Sequence, residues 1–116
     1  MTEAPGCSIL LHVSTQAPTT AEEALAWAQA AMVARRYLLD THVYIRLAQR
    51  NMTDRSIWFA IKNATACVPY VADRPPLTSG TSWRITGPDH DGELTSVGFE
   101  AFVDHLGQRI LIVTVF

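Results

Sequence analysis

The final segment of the sequence, RILIVTVF (109–116), constrains the fold more than any other part of the chain. All of its residues except Arg109 and Thr114 are apolar, so both alternating sets of side chains avoid water. An apolar run of this length is typical of a strand that is covered on both faces of a sheet. The sequence therefore predicts a central strand here.

Two further strands precede this run. TSWRIT (81–86) alternates, with Trp83 and Ile85 on one face and Arg84 on the other, and LTSVGFEAFV (94–103) places four apolar residues on one face. The segments GPDHDGE and DHLGQ separate the strands, and Asp-Gly is among the strongest signals for a hairpin turn. These segments predict an antiparallel meander.

The first half of the chain predicts helices. AEEALAWAQAAMVARRY is rich in alanine, and Thr19 or Thr20 is placed to cap it. A short extended link (38–40) leads to a second helix, capped by Asp40 or Thr41, that ends near Gln49 with Asn51 as a left-handed terminator. A third helix is predicted for DRSIWFAIKNAT, and CVPYVADRPPLTSG is predicted to be a loop.

The predicted fold class is therefore α+β, with N-terminal helices packed on a three- to four-stranded antiparallel sheet. A length of 116 residues indicates one domain, which we place at 21–116, after an N-terminal extension (1–20) that includes a possible strand at 7–13. No apolar run approaches the ~20 residues that a membrane-spanning helix needs, and MTEAPGCSILLHV lacks the basic start of a secretory signal. Cys7 and Cys67 lack metal-ligand spacing, which favours reduced thiols in a cytoplasmic protein.

Charge is distributed unevenly along the chain. The net charge of −2 argues against a general coat for nucleic acid. Residues 35–62, however, carry six basic side chains against two acidic ones, whereas residues 84–104 carry one arginine against five acids. Such a chain can present a basic face to phosphate, although the same charges can also simply solvate the surface.

The most suggestive feature for function is the spacing of His42, Arg46 and Arg50. Side chains at i, i+4 and i+8 lie on nearly the same face of a helix. An imidazole and two guanidiniums in one row are suited to binding and cleaving a phosphodiester without a metal. The alternatives are a solvated arginine stripe and a histidine that only bonds a carboxylate such as Asp40.

Two other functions are weaker. Asp89, Asp91 and Glu93 loosely resemble a calcium loop, but the twelve-residue pattern is absent and an Asp-Gly turn explains the same letters. The second and third helices resemble a DNA-binding helix–turn–helix unit. Its second helix would offer the apolar residues Ile57, Trp58, Phe59 and Ile61, which belong in a core rather than a DNA groove.

Three segments carry a resemblance to a known family: HVYIRLAQR (42–50), WRITG (83–87) and IVTVF (112–116). Together with the order of elements, they resemble a small bacterial family of unknown function that is grouped with the MqsR-type messenger-RNA interferase toxins of the RelE-like superfamily. The resemblance covers roughly residues 22–116. It implies a RelE-like fold and a metal-independent endoribonuclease toxin, without a cofactor, whose partners are RNA and a cognate antitoxin protein.

The resemblance also implies roles for particular residues. His42 is the candidate acid or base, because an imidazole with an ordinary pKa of about 6.5 exchanges protons at neutral pH. Arg46 is the candidate phosphate contact, Arg84 is placed to face a substrate on the sheet, and Arg50 and Arg55 would bind the RNA backbone. The alternative is a non-catalytic protein-binding module of the same fold, with an immunity or regulatory role.

Overall fold

The computed structural model describes residues 16–72 and 74–116. In these ranges three helices and two short strands come first, and three longer strands follow. The elements, in chain order, are α1 (Ala21–Val33), β1 (Tyr37–Leu39), α2 (Thr41–Gln49), α3 (Asp54–Lys62), β2 (Ala66–Pro69), β3 (Thr81–Pro88), β4 (Leu94–Asp104) and β5 (Gly107–Val115). The predicted strand at 7–13 lies outside the described residues. No helix in the described ranges is long and apolar enough to cross a membrane.

The α+β class is confirmed, but the sheet differs from the prediction. It has five strands in the order β1-β5-β4-β3-β2, and β1 runs parallel to β5, so the sheet is mixed rather than wholly antiparallel. Pairs β2–β3, β3–β4 and β4–β5 are antiparallel, as the predicted meander requires. The prediction that RILIVTVF forms an interior strand is confirmed, because β5 pairs with a strand on each side.

The two strands that the sequence did not predict are the edges of the sheet. β1 has three residues, of which two lie in the expected link and Tyr37 in the predicted first helix segment. β2 has four residues, of which three lie in the predicted loop. Strands this short carry too few alternations for a periodic signal. Pro69 is the last residue of β2, and proline is tolerated there because β2 is an edge strand.

The helix boundaries are set by local hydrogen bonds. Thr20 caps α1 through a capping box in which its side chain accepts from Glu23 N–H and the Glu23 side chain bonds the Thr20 backbone. Beyond the last turn of α1, Arg36 N–H donates to Ala31 at 2.7 Å, and Arg35 takes a left-handed conformation with φ of 58°. This six-to-one bond is that of a Schellman motif, so α1 ends before both arginines.

The second helix ends in the same way. Met52 N–H donates to Leu47 O at 2.8 Å, and Asn51 has φ of 54°, so the predicted left-handed terminator is confirmed. Asparagine tolerates this conformation, whereas arginine at the corresponding place after α1 is unusual. The third helix ends at Lys62, three residues before the predicted end.

All three helices pack on one side of the sheet, which we call the helix face. Val97, Phe99 and Ala101 of β4 alternate toward the helices and are fully buried. Trp83 and Ile85 of β3 join them, as the alternation predicted. The partners from the helices are Ala24, Trp27, Ala28, Ala31, Met32, Val43, Leu47, Ile57 and Ile61. One continuous apolar cluster therefore joins every helix to the sheet.

A β-bulge changes the direction of the side chains near the end of β5. Phe99 pairs with Ile112 but the preceding Gly98 pairs with Thr114, so Val113 is the extra residue. Strict alternation after Ile112 would send Thr114 toward the helices. The bulge instead returns Val115, which is fully buried, to the core. It also sets the direction in which the chain leaves the sheet at Phe116.

The opposite side of the sheet, which we call the loop face, is covered in part by the segment between β2 and β3. Glu100 projects from β4 on this side and is only 3% exposed. Its carboxylate accepts from Leu77 N–H at 3.0 Å and from the backbone N–H and hydroxyl of Thr78 at 2.8 and 2.7 Å. A single strand residue therefore fixes the loop to the sheet.

Candidate functional site

The predicted row of basic residues forms one exposed side of α2. Val43 and Leu47 face the core, and His42, Arg46 and Arg50 are exposed. A four-residue step along a helix advances by about 6 Å, so each member of the row lies within side-chain reach of the next. The row exists because two apolar residues one turn apart fix the rotation of α2 against β5.

Both arginines of this row reach the end of β5. Arg46 Nε donates to Val115 O at 3.2 Å, and an Arg50 Nη donates to Phe116 O. A guanidinium has five N–H donors, so each arginine keeps most of its donors available. These hydrogen bonds thus hold the two side chains in place at the end of β5.

Arg84 reaches the same point from β3. Its guanidinium carbon lies 4.1 Å above the centre of the Phe116 ring, and the Tyr70 ring meets Phe116 edge to face at 5.3 Å. We call Arg46, Arg50 and Arg84 around Phe116 the arginine cluster. Among the described residues, no aspartate or glutamate pairs with any of the three. Three arginine side chains therefore contact Val115 and Phe116 without an acidic side chain as partner in that part of the chain.

Gly98 makes room for this arrangement. It lies between Arg84 and Thr114 in the sheet register. A Cβ at this position would stand 2.8 Å from Thr114 Cγ2 and 3.3 Å from the Tyr70 ring. The glycine within β4 therefore marks the close approach of Tyr70 to the sheet.

His42 is held by Asp40, as one of the sequence alternatives anticipated. Its Nδ1 lies 2.6 Å from an Asp40 carboxylate oxygen. An ionised carboxylate only accepts hydrogen bonds, so in the neutral imidazole this contact puts the proton on Nδ1 and the lone pair on Nε2. Arg74 of the β2–β3 loop approaches the same Asp40 oxygen at 3.5 Å. The bond to Asp40 orients the ring and does not exclude proton transfer at Nε2.

Arg55 lies elsewhere. Its guanidinium stands over the Phe59 ring at 5.4 Å, and it lines a surface cavity with Arg35, Tyr37, Asp54 and Trp58. The structure therefore groups Arg46, Arg50 and Arg84, places His42 one turn before Arg46, and leaves Arg55 outside the cluster. We expected Arg55 to continue the same RNA path because it follows Arg50 closely in sequence.

The segment that contains Asp89, Asp91 and Glu93 forms the turn between β3 and β4. Asp89 Oδ1 accepts from the N–H groups of Asp91 and Glu93 at 2.9 Å each, and Gly92 has φ of 82°. The Asp89 carboxylate thus accepts hydrogen bonds from the backbone of its own turn. Nowhere in the described ranges do three or more histidine, cysteine, aspartate or glutamate side chains form a group that could hold a metal ion.

The third helix is largely built into the fold. Ile57 and Ile61 are 1% and 0% exposed. Half-buried Trp58 and Phe59 contact each other edge to face at 5.2 Å. A recognition helix needs a free polar face near its start. The burial of α3 agrees with the argument from sequence against a DNA-reading helix–turn–helix unit.

We compared the chain with protein families, curated proteins and solved structures. No family model matches the chain, and neither a curated protein nor a solved structure matches it significantly. The resemblance to MqsR-type and RelE-like toxins therefore stays a prediction.

Sequence reasoning missed two participants, Tyr70 and Phe116, which form the aromatic centre of the cluster. Tyr70 lies in the predicted loop and Phe116 follows the last strand, so periodicity assigns neither to a site. The glycine of SVGFE was the available signal, because an isolated glycine in a strand marks a close approach.

Proposed function

We propose that this protein binds single-stranded RNA at the arginine cluster and cleaves it without a metal, as a toxin that an antitoxin protein silences. The observation that carries the proposal is that Arg46 contacts Val115 while Arg50 and Arg84 contact the adjacent Phe116, one helical turn from a histidine already oriented by Asp40. Arginine forks match the oxygens of a phosphate, and an aromatic ring beside them offers a surface for an unpaired base.

In the proposed reaction, His42 Nε2 removes the proton from a ribose 2′-hydroxyl. The 2′-oxygen attacks the adjacent phosphorus, the bond to the 5′-oxygen breaks, and that oxygen takes a proton from solvent. The products are a 2′,3′-cyclic phosphate and a 5′-hydroxyl. Arg46 and Arg84 stabilise the charge that grows on the phosphoryl oxygens, and Arg50 binds the neighbouring phosphate.

The direct test uses a fluorescently labelled RNA of mixed sequence in the presence of a chelator. We expect fragments ending in a 2′,3′-cyclic phosphate, and no cleavage where the 2′-hydroxyl is replaced by hydrogen. His42→Ala should slow cleavage by about 10²–10⁴-fold, the usual contribution of a general base. Arg36→Ala is the matched control because it removes an arginine outside the cluster, one whose guanidinium donates to Leu106 O, and it should cleave at the wild-type rate.

Growth of a bacterial host tests the toxin role separately. We expect arrest on induction of the wild-type protein and relief by the His42→Ala/Arg46→Ala double variant at equal soluble levels. Arrest by both proteins would contradict the assignment of His42 and Arg46. The absence of both arrest and cleavage with a folded wild type would contradict the proposal as a whole.

One observation favours the alternative function, a protein-binding module. Tyr44 and Ile45 are adjacent on α2 and are 59% and 55% exposed. Large apolar side chains that remain together at a surface are typical of contact sites for other proteins. If RNA is neither bound nor cleaved, this pair is the part of α2 that remains unexplained. Tyr44→Ser/Ile45→Ser should leave RNA cleavage unchanged under the preferred proposal.

A further inference from the structure

A second basic site lies beside the start of β1. Arg35, Tyr37, Asp54, Arg55 and Trp58 line a cavity of about 320 Å³, which we call the edge cavity. Cavities that bind small molecules begin at roughly 300 Å³. Tyr37 pairs with Ile110, six residues before Phe116 on β5, so at ~3.3 Å per residue the cavity is roughly 20 Å from the arginine cluster along the strand.

The lining of the edge cavity combines cations with an aromatic ring. Arg35 and Arg55 are exposed, and no carboxylate among the described residues forms an ion pair with either. Trp58 is half-buried, whereas Trp27 and Trp83 are 8% and 5% exposed, so Trp58 is the most exposed of the three tryptophans. Lys62 Nζ stands over its ring at 4.7 Å and adds a third cation beside the cavity. Asp54 adds one acceptor. Two guanidiniums, an indole and a carboxylate are the groups that bind phosphate, base and ribose hydroxyl.

The backbone at Arg35 provides independent support. The left-handed position after α1 favours glycine, and at the equivalent place after α2 the chain uses asparagine. Arginine has no conformational advantage with φ of 58°. The left-handed conformation costs free energy because it brings Cβ close to the backbone. A strained residue is kept where its side chain is needed, and here the side chain lines the cavity.

We propose that the edge cavity binds one nucleotide unit, with its phosphate on Arg35 and Arg55 and its base on Trp58. The same chemistry occurs in a free nucleoside monophosphate and in one residue of a single-stranded nucleic acid. The edge cavity shares no residue with the arginine cluster, and nucleotide binding in the cavity does not depend on ribonuclease activity.

Nuclear magnetic resonance of the tryptophan indole groups tests this directly. The indole N–H of Trp27 donates to Arg109 O and that of Trp83 to Thr81 Oγ1, so both report on the interior. Titration with adenosine 5′-monophosphate should shift the Trp58 signal, assigned with Trp58→Phe, and leave the other two in place. A short RNA strand, added to the His42→Ala variant so that it is not cleaved, is the second probe and separates a polymer from a free nucleotide.

Arg55→Ala and Arg35→Gly should each weaken binding by about tenfold or more, since each removes hydrogen bonds to a charged group. Arg35→Gly should also raise the midpoint of thermal unfolding by about 2–6 °C, because glycine relieves the left-handed conformation. Loss of binding in a protein that has become more stable excludes misfolding as the cause. Arg46→Ala is the control from the other site and should bind the nucleotide as the wild type does.

Three results would overturn the proposal: no saturable shift of Trp58 with either probe, equal affinity for inorganic phosphate and for the nucleotide, or unchanged binding by Arg35→Gly. The second result would show that the base makes no contact. Failure of RNA cleavage with intact nucleotide binding would contradict the proposed function alone, so the two proposals are tested separately.

Discussion

The two faces of the sheet are covered by different kinds of interaction. The helix face is sealed by a continuous apolar cluster that takes residues from all three helices. The loop face is covered by an irregular segment that is tied down through the buried Glu100 carboxylate. Arg84, Tyr70 and Gly98 lie on or beside this second face. The difference suggests that stability resides mainly in the helix face and that the candidate site is built where the covering is polar and local.

The same truncation on each face measures this difference most directly. Phe99 is fully buried on the helix face, and Phe102, three residues later on the same strand, is 8% exposed on the loop face. Phe99→Ala should lower the free energy of unfolding by about 3–5 kcal/mol, because the rigid core leaves a cavity. Phe102→Ala should cost less, since an irregular loop can relax. Equal losses in denaturant unfolding would remove the distinction between the faces.

Removal of the carboxylate on the loop face should have the next largest effect. Glu100→Ala leaves the N–H groups of Leu77 and Thr78 without their acceptor, and an unsatisfied buried polar group costs about 1–3 kcal/mol. Hydrogen exchange at those two amides should accelerate more than exchange in α1. Glu93→Ala, at an exposed position, serves as the control. Unchanged exchange at both amides would show that the loop does not depend on Glu100.

A substitution at Gly98 tests whether packing on the loop face and binding at the candidate site depend on each other. Gly98→Ala brings a methyl group to 2.8 Å from Thr114 Cγ2, and overpacking of this kind costs about 1–3 kcal/mol. The Tyr70 ring should also move, and under the proposed function this should weaken RNA binding. Thr114→Ser removes the clashing methyl group. If the double variant Gly98→Ala/Thr114→Ser recovers the wild-type stability but not RNA binding, the binding defect is due to the displaced Tyr70 ring alone.

Arg84→Ala should have a small effect on stability and a larger one on binding. An exposed arginine over an aromatic ring contributes about 0.5–1 kcal/mol. Under the proposed function, its loss should also reduce by about one the slope of the logarithm of RNA affinity against the logarithm of salt concentration. Arg84→Lys, which keeps the charge, should restore the slope but not the full affinity. An unchanged slope in Arg84→Ala would place the RNA elsewhere.

The thiol of Cys67 allows a test by pH. It faces the core at β2, and burial raises its pKa to about 11 from an ordinary value of 9.0. Because the folded pKa lies above the unfolded one, the neutral thiol stabilises the fold fully below about pH 9, and this stabilisation is lost as pH rises toward 11. In a Cys7→Ser background, alkylation of native Cys67 should be slow at pH 8. Cys67→Ala should flatten the fall in stability above pH 9.

Long periodic segments could be predicted well from the sequence, and short ones could not. The alternation in TSWRIT and LTSVGFEAFV fixed which side chains face the core, and the pairing of β5 on both sides follows from its apolar character. The edge strands β1 and β2 escaped prediction because their positions depend on partners far along the chain. Tyr37, for example, pairs with Ile110. A mixed sheet is a consequence of that one distant contact.

The site could be predicted only in part, for a related reason. The spacing of His42, Arg46 and Arg50 along one helix predicted that they share a face, and Arg84 followed from the alternation around Trp83. Their meeting point, Phe116, depends on the bulge at Val113, which has no signal in an apolar run. Arg55 was grouped with the others because it is close in sequence. A helix boundary at Asn51 turns the chain before Arg55, and so separates the two basic surfaces.

The place of β5 in the sheet also determines when this protein can fold during its synthesis. A chain leaves the ribosome from its N-terminus, so α1, β1 and the hairpin of β3 and β4 emerge before the strand that joins them. Until β5 arrives, the inner edges of β1 and β4 have no partner, and the core between helices and sheet is open. The nascent chain must therefore wait with unpaired strands, and folding is completed by the segment that is made last of those described here.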